Sequence, residues 1–497
     1  MGKTPAFWYY RAMRESQMTA PKIVIDRRPM WIVVFDRMRR GIFLALIFLL
    51  FFVALGMEGP ADLSPEAYRV LCLFGLCVTL WSTNLIPLSA TSLLAIGMVP
   101  LLGIMESGQV YAFFGNKAVF FILGAFILSG AMIACGLSVR LSMWVMENFG
   151  QSPRRLWGSI YLFGAISSCF MSEHAVAAML FPIVSEIVKT LELTPGRSVF
   201  AKGLYFAMAW GCIIGGAATV LGGGRVPLAV EILEKTTDKA ETLGIWQYTA
   251  LSLPLIVLML PAGWLVLTTL FKPEIADVSP ALKVLHKKRE ALGKVSFFEM
   301  GVGGVMLVTL FFWFVFGERY GIANIAIIAI VSLFLFRLIT WEKVQEHVNW
   351  AVILMYGGAI CLGEVMADSG AALWLARQVF SGMVEIPAMF LITVAVLSAV
   401  FTTVMNNSAV IAVLLPPVLS LCGDYGISPL VAAMTVILPS NFAFILPIAT
   451  PASALAYSSR CITLREMMIT GSLLAGVGFV CYLFLLKIYW PLIGLTG

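Results

Sequence analysis

The sequence predicts an all-α, polytopic membrane protein with two tandem repeats that contain broken helices and re-entrant hairpins. Three observations lead there: composition, the spacing of uncharged runs, and an internal duplication. Of 497 residues, 60% are apolar and 12% charged, where a soluble domain carries about 25% charged residues. That balance excludes a cytosolic globular protein, a disordered chain and a disulfide scaffold. Uncharged runs cover 41–57, 70–105, 118–139, 156–172, 203–224, 245–271, 301–317, 320–336, 386–423, 425–459 and 467–486. At about 20 apolar residues per crossing they allow roughly ten to twelve spans. They are continuous rather than alternating, which excludes a β-barrel.

In chain order, residues 1–40 carry nine bases (Lys3, Arg11, Arg14, Lys22, Arg27, Arg28, Arg37, Arg39, Arg40) against three acids. The loop after the first run holds Glu58, Asp62 and Glu66 and no base before Arg69. Positive flanks stay in the cytoplasm, so the amino terminus is expected there, in a cell inner membrane. The mixed segment 7–35 suits contact with membrane lipid or a basic tail. The nine cysteines lie mostly inside apolar runs with no CxxC pair, as packing residues do. Nothing supports nucleic-acid binding.

The duplication is the most specific signal. Residues 165–182, AISSCFMSEHAVAAMLFP, align with 399–416, AVFTTVMNNSAVIAVLLP, at an offset of 234 with seven identities. Val119, Gly124 and Gly130 repeat as Val352, Gly357 and Gly363, and Ala218-Thr219 repeats as Ala449-Thr450. Three matches in one order give a division into 1–40, a basic segment; 41–110, spans; 111–228, a first repeat; 229–346, a connector with spans and a charged loop; 347–460, a second repeat; and 461–497, a last span.

Duplicated halves with interrupted helices build many secondary transporters. The run 386–423 would be about 57 Å long as one helix, too long for one crossing. Its centre carries Thr402, Thr403, Asn406, Asn407 and Ser408, so the expectation is a span interrupted there. Ser172-Glu173-His174 is the matching interruption. The stretches 118–139 and 348–380 are expected to be re-entrant hairpins, or pairs of spans. Lys272 to Lys294 reads as a solvated charged connector.

An ionisable residue inside a membrane run is costly and by default functional. Glu173 suits a proton acceptor or a cation ligand. The neighbouring His174 favours the proton role. A hydroxyl beside freed carbonyls, as at Ser168 or Thr402, suits a monovalent cation, and helix N-termini at the breaks suit a carboxylate or sulfate. Gly222-Gly223-Gly224 permits close backbone approach to a ligand. Arg225 after it is either an anion clamp or a boundary residue that snorkels. Glu364 and Asp368 line a polar face or mouth of the second hairpin candidate.

These residues resemble the divalent anion/sodium symporter family, related to bacterial di- and tricarboxylate and sulfate transporters. That family carries two Ser-Asn-Thr motifs, each followed by a short apolar run ending in proline. Ser172-Glu173-His174 through Pro182 and Asn406-Asn407-Ser408 through Pro416 occupy those places. Ala443 to Pro451 is similar to the family's Ala-Thr-Pro segment, and Gly215 to Thr219 to its first-half counterpart. The resemblance implies two inverted repeats, about eleven spans plus two hairpins, a homodimer and an elevator mechanism. It implies substrate contacts from Ser172, Glu173, His174, Thr219, Arg225, Asn406, Asn407, Ser408, Thr450 and Pro451. A first sodium site would use Ser168, Glu173 and Ala218, and a second Thr402, Asn407 and Ala449. The chain departs from pattern with Glu173 and His174 in the first motif, Asn406 and Ser408 in the second, and Gly222 to Val226 in the first-half tail. The second ion site is closer to pattern. The expected function is transport of a small anion coupled to sodium, protons or counter-anion, without an organic cofactor. The alternatives are a cation/proton antiporter of related fold and an intramembrane enzyme; the duplication argues against the enzyme.

Overall fold

A computed structural model describes residues 30–237, 240–380 and 386–495. Most of the basic segment 1–40, with the expected surface stretch 7–35, lies outside the described residues. The first helices are α1 (Met30–Gly56), α2 (Pro65–Thr83), α3 (Leu88–Leu101), α4 (Ser107–Ala112), α5 (Lys117–Ala134) and α6 (Leu137–Phe149). Then come α7 (Pro153–Ser168), α8 (Glu173–Thr190), α9 (Val199–Gly215), α10 (Arg225–Thr236), α11 (Ile245–Leu270) and α12 (Ser279–Ala291). They are followed by α13 (Phe297–Tyr320), α14 (Ile322–Leu335), α15 (Trp341–His347), α16 (Trp350–Asp368) and α17 (Ala371–Phe380). The chain closes with α18 (Pro387–Val404), α19 (Asn407–Cys422), α20 (Pro429–Ile437), α21 (Pro451–Ser458) and α22 (Leu464–Phe484). Among the described residues there is no strand. Seven helical segments are long and apolar enough to cross a membrane, and five shorter apolar helices accompany them.

Local chemistry sets the boundaries. Ser152 and Ser198 cap α7 and α9 with their side chains, and Pro153 occupies the first turn of α7. Capping boxes start α13 (Ser296 with Glu299) and α22 (Thr463 with Glu466). Each cap satisfies amide groups that the helix itself leaves free.

The polar triplets sit at chain reversals, not at interruptions of single spans. Helices α7 and α9 run parallel: the Trp157 indole donates to the Phe200 carbonyl at 3.1 Å, and Cys212 lies against Gly164. A Cβ at Gly215 would collide with the Ala165 backbone, so this close approach needs glycine. Small residues of this kind bring membrane helices together. Helix α8 returns antiparallel, with Ser185 and Tyr205 hydroxyls 3.0 Å apart and Glu173 back at the far end of α9. Thus α7 and α8 form a re-entrant hairpin with its tip at Cys169–Ser172. In the second half α18 runs beside α20, where Ser398 and Thr402 donate to the Val436 and Ser440 carbonyls at 2.7 Å. Helix α19 returns from a tip at Met405–Asn406. The 38-residue run is therefore two legs, of 18 and 16 residues. The stretch 118–139 is not a hairpin, since the single 18-residue helix α5 takes up most of it. The stretch 348–380 holds two helices, α16 of 19 residues and α17 of 10, joined by a turn at Gly370, with no polar tip at membrane depth like those of the triplets. The broken helices are α9–α10, unwound at 216–224, and α20–α21, unwound at 438–450. A lack of charge marks irregular backbone in a membrane run but does not distinguish a break from a reversal.

The halves are inverted. The mouth of the first hairpin lies with Gly196 beside the Arg460 carbonyl, and with Lys202 2.5 Å from Glu466. The second opens at the opposite end, where Phe390 stacks on Tyr425 and Arg377 faces Asp424 at 3.7 Å. The connector 272–294 is not only loop: α12 buries Ala281 and Leu285 and pairs Arg289 with Glu147 and Lys288 with Glu186. Its apolar stripe was masked by charge in composition alone. In a background lacking the partly exposed Cys72, Cys135, Cys169 and Cys481, Glu192→Cys and Asp424→Cys should react with an impermeant maleimide from opposite faces of the membrane. Labelling of both from one face would contradict the inversion.

Candidate functional site

The first tip is held by the unwound segment of α9–α10. The Glu173 amide donates to the Gly222 carbonyl at 2.9 Å, and the Thr219 hydroxyl to the Cys169 carbonyl. The three glycines do allow close approach, but to protein. A Cβ at Gly222 would clash with the Ser168 and Gly216 carbonyls, and one at Gly224 with the Tyr356 hydroxyl.

Arg225 is buried rather than snorkelling at a boundary, and protein groups engage its guanidinium. It is 2% exposed. Its Nη2 donates to the Gly216 carbonyl at 2.7 Å, and Nη1 lies 3.5 Å from Oε2 of Glu173, itself 1% exposed. His174 Nδ1 is 3.6 Å from the other Glu173 oxygen, beyond a formed hydrogen bond. Glu173 Oε2, His174 Nδ1 and Arg225 Nε make no hydrogen bond. The tip thus contains a buried ion pair with hydrogen-bonding capacity to spare.

The second tip is neutral. Asn406 caps α19, accepting from the Ala409 amide at 2.8 Å. The Thr402 hydroxyl lies 2.8 Å from Asn407 Oδ1 and 2.7 Å from the Ser440 carbonyl. Thr450 caps α21 and accepts from the Ser453 amide at 3.2 Å.

Tyr356 joins the second hairpin to the unwound segment of α9–α10. Its hydroxyl is 3.4 Å from Ser408 Oγ and rests against Gly224. The second unwound segment also meets the last turn of α9, where Asn441 Nδ2 donates to the Ile213 carbonyl at 2.8 Å. Ser172, Glu173, Thr219, Arg225, Asn407 and Thr450 are therefore buried in this junction, whereas His174, Asn406, Ser408 and Pro451 remain reachable. Of the residues expected to hold a first cation, Ser168 is buried at the tip, but the Ala218 carbonyl accepts from Ser252 at 3.0 Å. Thr402 and Asn407 of the second set are together, and Ala449 is buried in the unwound segment of α20–α21 but makes no hydrogen bond with either among the described residues. Glu364 pairs with Lys235 at 3.1 Å, tying α16 to α10. Sequence reasoning missed Tyr356, Ser440 and Asn441. A tyrosine hydroxyl in the middle of an apolar run was the available signal for the first.

Two inverted hairpins, each with its tip held beside an unwound helix, are the build of a membrane transporter with inverted repeats. The chain belongs to the family described as the sodium:sulfate symporter transmembrane region, whose model matches residues 39–496. It is a multi-pass membrane protein of a transporter family, which sets the intramembrane-enzyme alternative aside. It is 27% identical over 451 residues to the sodium-dependent dicarboxylate transporter SdcS of Staphylococcus saprophyticus, covering 85% of this chain and 86% of that one. The protein of the same name in Staphylococcus aureus is 26% identical over 449 residues, with the same coverage. Two solved structures share the fold. The Neisseria gonorrhoeae MtrF structure matches with a TM-score of 0.57 at 11% identity, covering 86% of this chain and 96% of that one. The Alcanivorax borkumensis YdaH transporter matches with a TM-score of 0.51 at 16% identity, covering 78% and 88%.

Removing one partner of a buried pair strands the other charge, at a cost of about 3–5 kcal/mol. Arg225→Gln should therefore lower the thermal unfolding temperature in detergent, and adding Glu173→Gln should restore much of the loss. Unchanged stability in Arg225→Gln would show that the pair is not formed.

Proposed function

We propose that this chain is a secondary active transporter of a small dianion or trianion, a di- or tricarboxylate or sulfate, coupled to sodium. The observation that carries the reading is the convergence of two helix N-termini, those of α8 and α19, on one junction from opposite sides. Such ends present free amide groups and a positive dipole end, which suit anionic groups. His174, Asn406 and Ser408 are the reachable donors, with Pro451 beside them. Ser172, Glu173, Thr219, Arg225, Asn407 and Thr450 shape the site from behind. The names of the curated relatives support both the dicarboxylate class and sodium.

The sodium ion fits the second half best. Thr402 Oγ1, Asn407 Oδ1 and the Ser440 carbonyl form a neutral, buried oxygen cluster. Buried Asn441 Oδ1, in the same unwound segment, has no hydrogen-bond partner. Oxygen donors of this kind suit a hard cation. Movement would follow the elevator pattern, in a homodimer, with the repeats 111–228 and 347–460 as the functional division. Nothing in the geometry favours the cation/proton antiporter alternative.

Orientation follows from charge. Arg40 donates to the Leu85 carbonyl just past α2. At the other end of α2, Asp62 accepts from Trp374 on α17, beside the mouth of the second hairpin. Arg40 is therefore on the side of the first mouth, which also carries Arg154, Arg155, Lys189, Arg197 and Arg460. The positive-inside rule puts that side in the cytoplasm, consistent with an inner-membrane protein.

Ligand binding raises the stability of the folded state, by about 2.7 kcal/mol at a hundred times Kd. Succinate, citrate or sulfate should thus raise the unfolding temperature of the purified protein more in sodium than in choline. Thr402→Val, nearly the same shape without the hydroxyl, should abolish the sodium dependence. No stabilisation by any of the three anions would remove the proposed substrate class.

A further inference from the structure

We propose that the Arg225 guanidinium is a tethered cation. It stands permanently where the first half would otherwise take up a coupling ion, so that only the second half exchanges one. The inference rests on the sodium-coupled reading above, and its argument is the comparison of the two halves residue by residue.

At the offset of the tip motif, Glu173 corresponds to Asn407. At the offset of the Ala-Thr segment, Arg225 corresponds to Ala456. The first half thus has a carboxylate and a guanidinium where the second has an amide and a methyl group. Both members of the charged pair are present in one half and both are absent from the other. Ala456 is fully buried and carries no charge, so the position that corresponds to Arg225 supplies the second tip with no fixed cation.

The contacts of Arg225 are those of a bound cation. It touches one carboxylate, Glu173, and one carbonyl freed by helix unwinding, that of Gly216. It bridges the hairpin tip to the unwound segment of α9–α10, the two parts that a coupling ion would hold together. Tyr248 and Tyr356 pack nearby as neutral hydroxyls, directed to the Ala217 carbonyl and Ser408. The other titratable groups at the tip are His174 and the Cys169 thiol, which points to the Ala165 and Gly215 carbonyls, with Cys212 close by on α9. Among the described residues Arg225 has no second carboxylate partner, so the pair is electrically closed. The expected carbonyl of Ala218 is turned away to Ser252. A further monovalent cation added to this electrically neutral position has no charge to balance. Ser168 Oγ is left as a buried oxygen without a hydrogen-bond partner among the described residues. But with the Glu173 charge met by Arg225 and the Ala218 carbonyl taken by Ser252, the first half keeps no complete donor set for a free sodium ion. Glu173 serves as the counter-charge of Arg225 rather than as an exchanged proton site.

The test is the coupling ratio. Net succinate flux into proteoliposomes is set to zero by opposing sodium and succinate gradients, which gives the number of sodium ions carried per succinate. The double variant Glu173→Asn/Arg225→Ala gives the first half the neutral pair of the second, and its ratio should exceed that of the wild type by one. Equal ratios would overturn the proposal. Arg225→Ala alone should lose uptake and regain it when dilute guanidinium is supplied. This second measurement decides the matter if the double variant does not fold, since a lack of rescue also overturns the proposal. If the wild type carries none of succinate, citrate or sulfate, the transport reading fails separately. Sodium-dependent thermal stabilisation, measured against choline, then decides: it must be larger in the double variant than in the wild type, and equal stabilisation would refute the tethered cation.

Discussion

Backbone that stops being helical at membrane depth finds no water for its amide and carbonyl groups, so the protein itself must supply the partners. The rest of this structure follows from that constraint. Around the site, among the described residues, two hairpin tips and two unwound stretches interrupt the helices. They are satisfied by one another and by the helix ends beside them. Glu173 donates its amide to Gly222, Thr219 its hydroxyl to Cys169, Thr402 its hydroxyl towards Ser440, and Asn441 its amide group to Ile213. The irregular segments can exist because they are gathered at one place, and gathering them creates the site.

The same constraint explains the glycines. Helices α7 and α9 must touch along their length for the tip of α7 to reach the unwound end of α9. Gly211 and Gly215 leave room for the Tyr161 and Ala165 backbones to approach. In the unwound segment, Gly222 and Gly224 let the chain lie against the tip and against Tyr356. Without side chains there, the junction closes around polar groups and excludes lipid from them.

Within this shared frame the two halves use different electrostatics. The second tip relies on neutral oxygen donors, the first on a buried ion pair. A buried pair gives little net stability but makes the loss of either partner costly. It therefore fixes the geometry of the first tip independently of any ligand. The second tip has no such internal charge and is the more responsive of the two to an ion.

Much of this was legible in the sequence. Composition fixed the environment, because a chain with so few charges cannot cover itself with water-facing surface. The duplication was readable since both copies keep the same small residues and the same proline, Pro182 and Pro416. The polar triplets were found because polar groups inside apolar runs are expensive. The sequence could not show that those triplets reverse the chain, since a break and a turn impose the same local composition. Nor could it show that Arg225 is paired. Its partner, Glu173, is 52 positions away, and only the folding of the tip onto the unwound segment brings the two charges within 3.5 Å. Local chemistry determined which residues had to be sheltered from lipid. Tertiary structure decided which of them shelter one another, because in a membrane that choice depends on which segments converge in space.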